Sequence, residues 1–230
     1  MKKNLSRSHQ SQRIQQMVIA AMLSAIVAVL TFTPIGMVPL PPPLPSATTV
    51  HIPVLLAALV VGPVVGLIVG LVFGVCSLIR AWETGMVGLT LFFRDPRVSV
   101  IPRLLVPLVA FGVWWLWRRM VKSGRVTDKV GASVAAIIGT VTNTVLCLGS
   151  IVLFYGADLT AMINEMIAAG NAETSYLDNA GAWLVAVVGL PNGIAESIVA
   201  AVIVPMIKTA VEAVLKRTRR TSARRKEENA

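Results

Sequence analysis

Four arginines, Arg80, Arg94, Arg97 and Arg103, fall close together in an apolar region, three of them inside the segment FFRDPRVSVIPR. A guanidinium presents a planar fork of donors that suits a carboxylate or a phosphate, so the cluster points to capture of a small anionic solute. Arg103 is the strongest candidate. It follows Pro102, several residues inside an apolar run, where a charge is costly unless it faces a wet cavity or a partner. Arg94 is the second candidate, although it and Arg97 have an alternative in Asp95 or lipid headgroups.

Two more polar side chains lie deep in apolar segments. Asn143, in GTVTNTVLC, can hydrogen-bond a ligand or another helix. Glu196 follows GLPNG, whose Gly189, Pro191 and Gly193 should kink or break the helix and free backbone groups to line a cavity. A carboxylate at that depth is a functional candidate, with an ion pair to Arg103 or another arginine as the structural alternative. Asn192 either caps the second half of that helix or marks its kink. Thr49 and His51 end a proline-rich loop and are candidate pocket residues, though a lone histidine at a helix start is more often structural. No catalytic residues are expected. Cys76 and Cys147 sit in apolar segments without CxxC spacing, so no disulfide framework, metal site or cofactor is expected either.

The elements that must position these groups are membrane helices. The chain of 230 residues is 55% hydrophobic and 14% charged, and six apolar segments run at about 16–33, 50–61, 63–80, 99–117, 131–155 and 181–207. They are apolar all round, which excludes the alternation of a β-barrel. The fold class is therefore an all-α, integral membrane six-helix bundle. Residues 51–80 as one helix would reach roughly 45 Å, beyond the ~30 Å hydrocarbon core, so the chain is expected to reverse at Gly62-Pro63. Pro63 then falls in the first turn of the next helix. Glycines at 62, 66, 70 and 74 share one face of it and permit close helix contact, while the second span is short enough to need an irregular flank.

Basic residues are retained on the cytoplasmic side, and an inside amino terminus places all of them there except the four arginines above. The loop 156–180 has no basic residue and carries Asp158, Glu165, Glu173 and Asp178. Both termini are thus expected in the cytoplasm: a basic tail at 1–15, a single six-span domain at 16–208 and a second basic tail at 209–230. The net charge of +10 reads as a positive-inside tail near anionic lipid, so no nucleic-acid partner is expected. The first segment is long for a signal peptide and is expected to stay uncleaved. Residues 34–49, rich in proline, form an extended, prestiffened loop suited to a lid or to a plain connector. Small residues in AAMLSAIVA leave a groove on the first span for internal packing or for docking another membrane protein.

Taken together, HIPVLLAALVVGPVVGLIVGLVFGVCSLIR, FRDPRVSVIPR and TNT in the fifth span resemble the S component, the substrate-binding membrane subunit, of an energy-coupling factor vitamin transporter, over about residues 15–208. Among members the chain is most like the pantothenate type. The resemblance implies a vitamin bound near the outer face and a gate in the first outer loop. It further implies that Ala21 and Ala25 are the small-residue pair that meets a coupling transmembrane subunit, which itself works with two cytoplasmic ATPases. The setting implied is the prokaryotic plasma membrane. No GxxxxGK[ST] phosphate loop occurs, so ATP hydrolysis would belong to the partners. The rival readings are a proton-coupled secondary carrier using Glu196, an S component for another vitamin such as riboflavin or folate, an intramembrane enzyme and a solute-free scaffold. An enzyme is disfavoured, since there is no GxSxG elbow and no HExxH helix.

Overall fold

The computed structural model describes residues 2–38, 47–83, 88–122 and 124–228. Six helical rods follow the apolar segments: α1 (Lys2–Phe32), α2 (His51–Val61), α3 (Pro63–Glu83), α4 (Pro96–Met120), α5 (Arg125–Ala168) and α6, which begins at Ala180 and continues to Glu228. Five contain stretches long and apolar enough to cross a membrane, and α2 is the shorter sixth. The arrangement is an all-α membrane bundle. Among the described residues its one extended feature is a small antiparallel ladder, β1 (Met37–Val38) with β2 (Ala47–Thr48), between α1 and α2.

At 1.5 Å per residue α2 rises only about 16 Å, roughly half of a hydrocarbon core. Such a helix is tolerated because it stays inside the bundle: every residue from His51 to Leu59 is buried. On one side Ile52, Leu55, Leu56 and Leu59 meet Val106, Ala110 and Trp114 of α4, small residues Ala132, Ala135 and Ala136 of α5, and Ala200 and Val204 of α6. On the other, Val50, Val54 and Ala57 pack with Ala20 and Val27 of α1 and Val65, Val69 and Phe73 of α3. The irregular flanks expected of this span are the β ladder before it and a π-wound turn, Ala57–Val61, at its end.

The reversal falls at Gly62, whose φ of 134° lies where only glycine is unstrained, and Pro63 opens α3. The glycine stripe then presses α3 onto α4. A Cβ on Gly70 would lie 2.5 Å from the Arg103 carbonyl oxygen, and one on Gly74 would lie 2.8 Å from the Val100 Cα. Close backbone contact of this kind fixes where the start of α4 sits.

Proline and polar caps shape the other elements. Asp95 precedes Pro96 and caps α4, its Oδ1 accepting from the Arg97 backbone N–H at 2.7 Å while its Oδ2 accepts from the Tyr155 hydroxyl at 2.8 Å. The N–H bond holds the Asp95 carboxyl below its ordinary value, with the Tyr155 hydroxyl adding to it. Tyr155 is itself the non-helical residue at which α5 kinks, at the end of the apolar run anticipated for the fifth span. In α6 the expected break takes a milder form. Residues Leu184–Gly189 are π-wound, and the α-helix resumes through Pro191, so the wider turn accommodates the missing N–H and the ring without ending the helix.

Candidate solute-binding site

One end of the bundle, the end carrying the 88–94 segment and the connection 169–179, holds a half-open cavity of 430 Å³; the loop expected from 156 is helical as far as Ala168. It lies beside the start of the short helix α2, with Thr48 and Val50 in its wall. Every other rod contributes: Thr31 from α1, Phe73, Ser77 and Arg80 from α3, Arg103 from α4, Asn143, Thr144 and Cys147 from α5, and Asn192 and Glu196 from α6. The halved length of α2 therefore has a direct consequence, since a full span there would extend toward this space.

Arg103 is 6% exposed and reaches inward from the first turns of α4. Its Nη1 donates to the Val98 carbonyl at 2.7 Å and to Cys147 Sγ at 2.8 Å. Its guanidinium lies 5.3 Å from the Phe73 ring centroid and 5.0 Å from that of Phe93, so aromatic faces flank the charge. Nε has no protein partner among the described residues. Cys147 continues the chain of contacts by donating to Asn143 Oδ1 at 3.7 Å, one helical turn earlier. Buried polar groups are nearly always hydrogen-bonded, so a donor left over beside a cavity is a group a solute can satisfy. Asn192 supplies a matching acceptor, its Oδ1 being buried and without a partner among the described residues.

Glu196 is buried in the wall, and its Oε1 accepts from the Thr48 backbone N–H at 2.6 Å and from the Thr48 hydroxyl at 3.0 Å. Glu196 makes no ion pair with Arg103 among the described residues, and it keeps its place in the cavity wall. It ties the end of the first loop to α6 across 148 positions of sequence. The lid expected over residues 34–49 falls partly on residues 39–46, which lie outside the described residues. The described remainder, the β ladder, is what Glu196 holds.

The structure thus brings Arg103, Asn143, Asn192 and Glu196 together and leaves three expected residues outside the cavity wall. Arg94 turns away, its Nε donating to the Ala81 carbonyl at 3.1 Å and its guanidinium stacking 5.0 Å from the Trp82 ring. Thr49 donates through its hydroxyl to the Gly36 carbonyl at 3.3 Å and braces the ladder. His51 is 1% exposed and packed into the start of α2. Sequence reasoning missed Arg80, Thr48, Ser77 and Cys147 as wall residues. Only Arg80 had a visible signal, as one of the arginines outside the basic-inside pattern. Ala21 and Ala25 are both exposed on α1, while Ala20 and Val27 make the internal contact.

The wall combines two guanidiniums and one carboxylate with hydroxyls, amides and apolar patches from Leu148, Ile151 and Val188. That mixture suits a small anionic molecule with further hydrogen-bonding groups and an aliphatic body. Known proteins agree in kind. The profile of a family described as "ECF transporter, substrate-specific component" matches residues 15–208. The pantothenic acid transporter PanT of Lactococcus lactis subsp. cremoris is 27% identical over 176 residues, covering 70% of this chain and 84% of that protein.

Proposed function

The chain belongs to the family of substrate-specific components of ECF transporters, and on that premise we propose that it captures pantothenate from the external medium for an ATP-driven importer. The observation that carries the substrate is the cavity around Arg103. Pantothenate has a carboxylate for a guanidinium, an amide and hydroxyls for Asn143, Asn192 and the threonine hydroxyls, and a branched aliphatic end for the apolar wall. The similarity to PanT supports the same solute.

In this reading both termini are cytoplasmic and the cavity opens outward, which puts Arg80, Arg94, Arg97 and Arg103 on the side where the solute arrives. Residues 1–15 and 209–230 are basic tails flanking a single membrane domain in the prokaryotic plasma membrane. The first loop closes over bound solute, and Glu196 holds its near end through Thr48. Energy comes from a coupling membrane subunit and two ATPases, the former meeting the exposed Ala21 and Ala25 face. Thr49 and His51 support the site from outside its wall, and Arg94 takes no part in binding.

The test is a thermal-shift screen of vitamins on the purified chain in detergent, because a ligand that binds only the folded state raises apparent stability. Pantothenate is expected to raise the unfolding midpoint, with riboflavin and folate inert. A shift with another vitamin and none with pantothenate overturns the substrate. Uptake by this chain alone in proteoliposomes, driven by a proton gradient without ATP, overturns the importer reading in favour of a secondary carrier.

A further inference from the structure

The far end of α4, away from the cavity, carries a second polar cluster that solute capture does not use. Phe111, Trp114, Trp115, Arg118 and Arg119 recur three or four positions apart on one helical face and line a cleft of 340 Å³. The Arg118 guanidinium lies 5.6 Å from the Trp114 ring centroid, and the Arg119 guanidinium lies 5.3 Å from that of Trp115. Lys208 of α6 touches the same Trp114 ring, its Nζ 4.4 Å from the centroid. The lysine differs from the two arginines in one respect. Its charge is matched by Glu212 at 2.7 Å, whereas neither Arg118 nor Arg119 meets a carboxylate among the described residues.

We propose that this cleft binds the phosphate headgroup of an anionic membrane lipid, with the lipid's acyl chain lying along Phe111 and the exposed face of Trp115. Position favours a lipid. The arginines stand in the last turn of an apolar span that ends at Met120, the position where headgroups meet hydrocarbon when such a span crosses a bilayer, and Trp115 is 52% exposed there. Charge favours an anionic one: two adjacent guanidiniums without a protein counter-charge attract a phosphodiester, and they repel the quaternary amine of a zwitterionic headgroup. Each guanidinium carbon lies over an indole ring, and neither arginine donates a hydrogen bond to a described residue, so their donors are available to a phosphate oxygen.

The full chain, purified in detergent, would be incubated with phosphatidylglycerol, with phosphatidylcholine or with inorganic phosphate, and retained ligand measured by native mass spectrometry. Phosphatidylglycerol is expected to be retained in preference to phosphatidylcholine, and Arg118→Gln with Arg119→Gln is expected to weaken that retention about tenfold, the scale of a lost charge-assisted bond. Monodisperse elution and an unchanged helical circular dichroism spectrum establish that the double variant is folded; should it aggregate, Arg119→Gln alone serves, with a smaller loss expected. Equal retention of the two lipids overturns the proposal, as does a variant that retains phosphatidylglycerol like the parent. Displacement of the lipid by millimolar inorganic phosphate overturns the lipid assignment and makes the cleft a site for the free anion.

Discussion

In the proposed reading capture depends on Arg103, because its charge is buried and no carboxylate lies within ion-pair distance among the described residues. A carbonyl, a thiol and two aromatic rings hold the guanidinium in place, and none of them neutralises it. Burying an ion without a counter-ion in contact costs several kcal/mol, and Glu196 in the same wall acts on it only from a distance, so the site gains when an anionic solute supplies one. Arg103→Ala is accordingly expected to weaken pantothenate binding about 10- to 100-fold in calorimetric titration. Arg94→Ala should leave the affinity unchanged, since that guanidinium rests on Trp82 and the Ala81 carbonyl. Equal losses for the two would place the anion between them and not in the cavity. Glu196 calls for a different measurement. If its role is to hold Thr48, Glu196→Gln keeps an acceptor oxygen and changes little, whereas Glu196→Ala frees the loop and speeds solute release. Thr48→Val removes the hydroxyl bond but not the N–H bond, so it should reproduce part of that effect and be non-additive with Glu196→Ala. Additive effects in stopped-flow dissociation would separate the two residues.

At the scale of elements, α3 acts on the site without contributing most of its chemistry. Its glycine stripe lets α4 approach closely enough that Gly70 abuts the backbone of Arg103 itself. Gly70→Ala must push α4 outward, because the obstacle is a carbonyl oxygen and not the tip of a flexible side chain. Binding is expected to fall by about tenfold or more, in line with the cost of overpacking. Gly112→Ala, with nothing within 4 Å of the added methyl, is the matched control and should bind normally. Loss of affinity in both would indicate a general helix effect and not displacement of Arg103. The same region shows what could be read in advance. Apolar run lengths, the Gly62-Pro63 reversal and the glycine face all follow from local rules, and each is visible in residues 51–80. The identity of Arg103 as a buried charge was legible for the same reason, since a guanidinium inside an apolar run has few options. What stayed hidden depends on long-range register. Thr48 and Thr49 are indistinguishable in sequence, yet one faces Glu196 across 148 positions and the other faces Gly36. Likewise Arg94 and Arg103 carry the same chemistry, and only the path through Asp95-Pro96 decides that the first lies on Trp82 and the second in the cavity.

For the whole molecule, the proposed reading assigns capture and coupling to different surfaces. The cavity occupies one end of the bundle and draws on five of the six rods and on the segment that leads into α2, whereas Ala21 and Ala25 lie on the outside of α1, whose internal contact runs through Ala20 and Val27. A close helix contact on the exposed alanines needs their small size, since larger side chains hold the two backbones apart. Replacing both with leucine therefore adds bulk only to a surface that the isolated chain leaves open. The paired change Ala21→Leu and Ala25→Leu is expected to leave pantothenate affinity and thermal stability of the isolated chain unchanged. In proteoliposomes containing the coupling subunit, both ATPases and internal ATP, the same change should reduce uptake at least about tenfold, the loss that a clash of 1–3 kcal/mol at a packed contact produces. Co-purification with the coupling subunit should fall in parallel. If uptake persists while the partners still co-purify, the coupling surface lies elsewhere on the bundle. If affinity falls along with uptake, α1 belongs to the capture machinery and the division between its two faces does not hold.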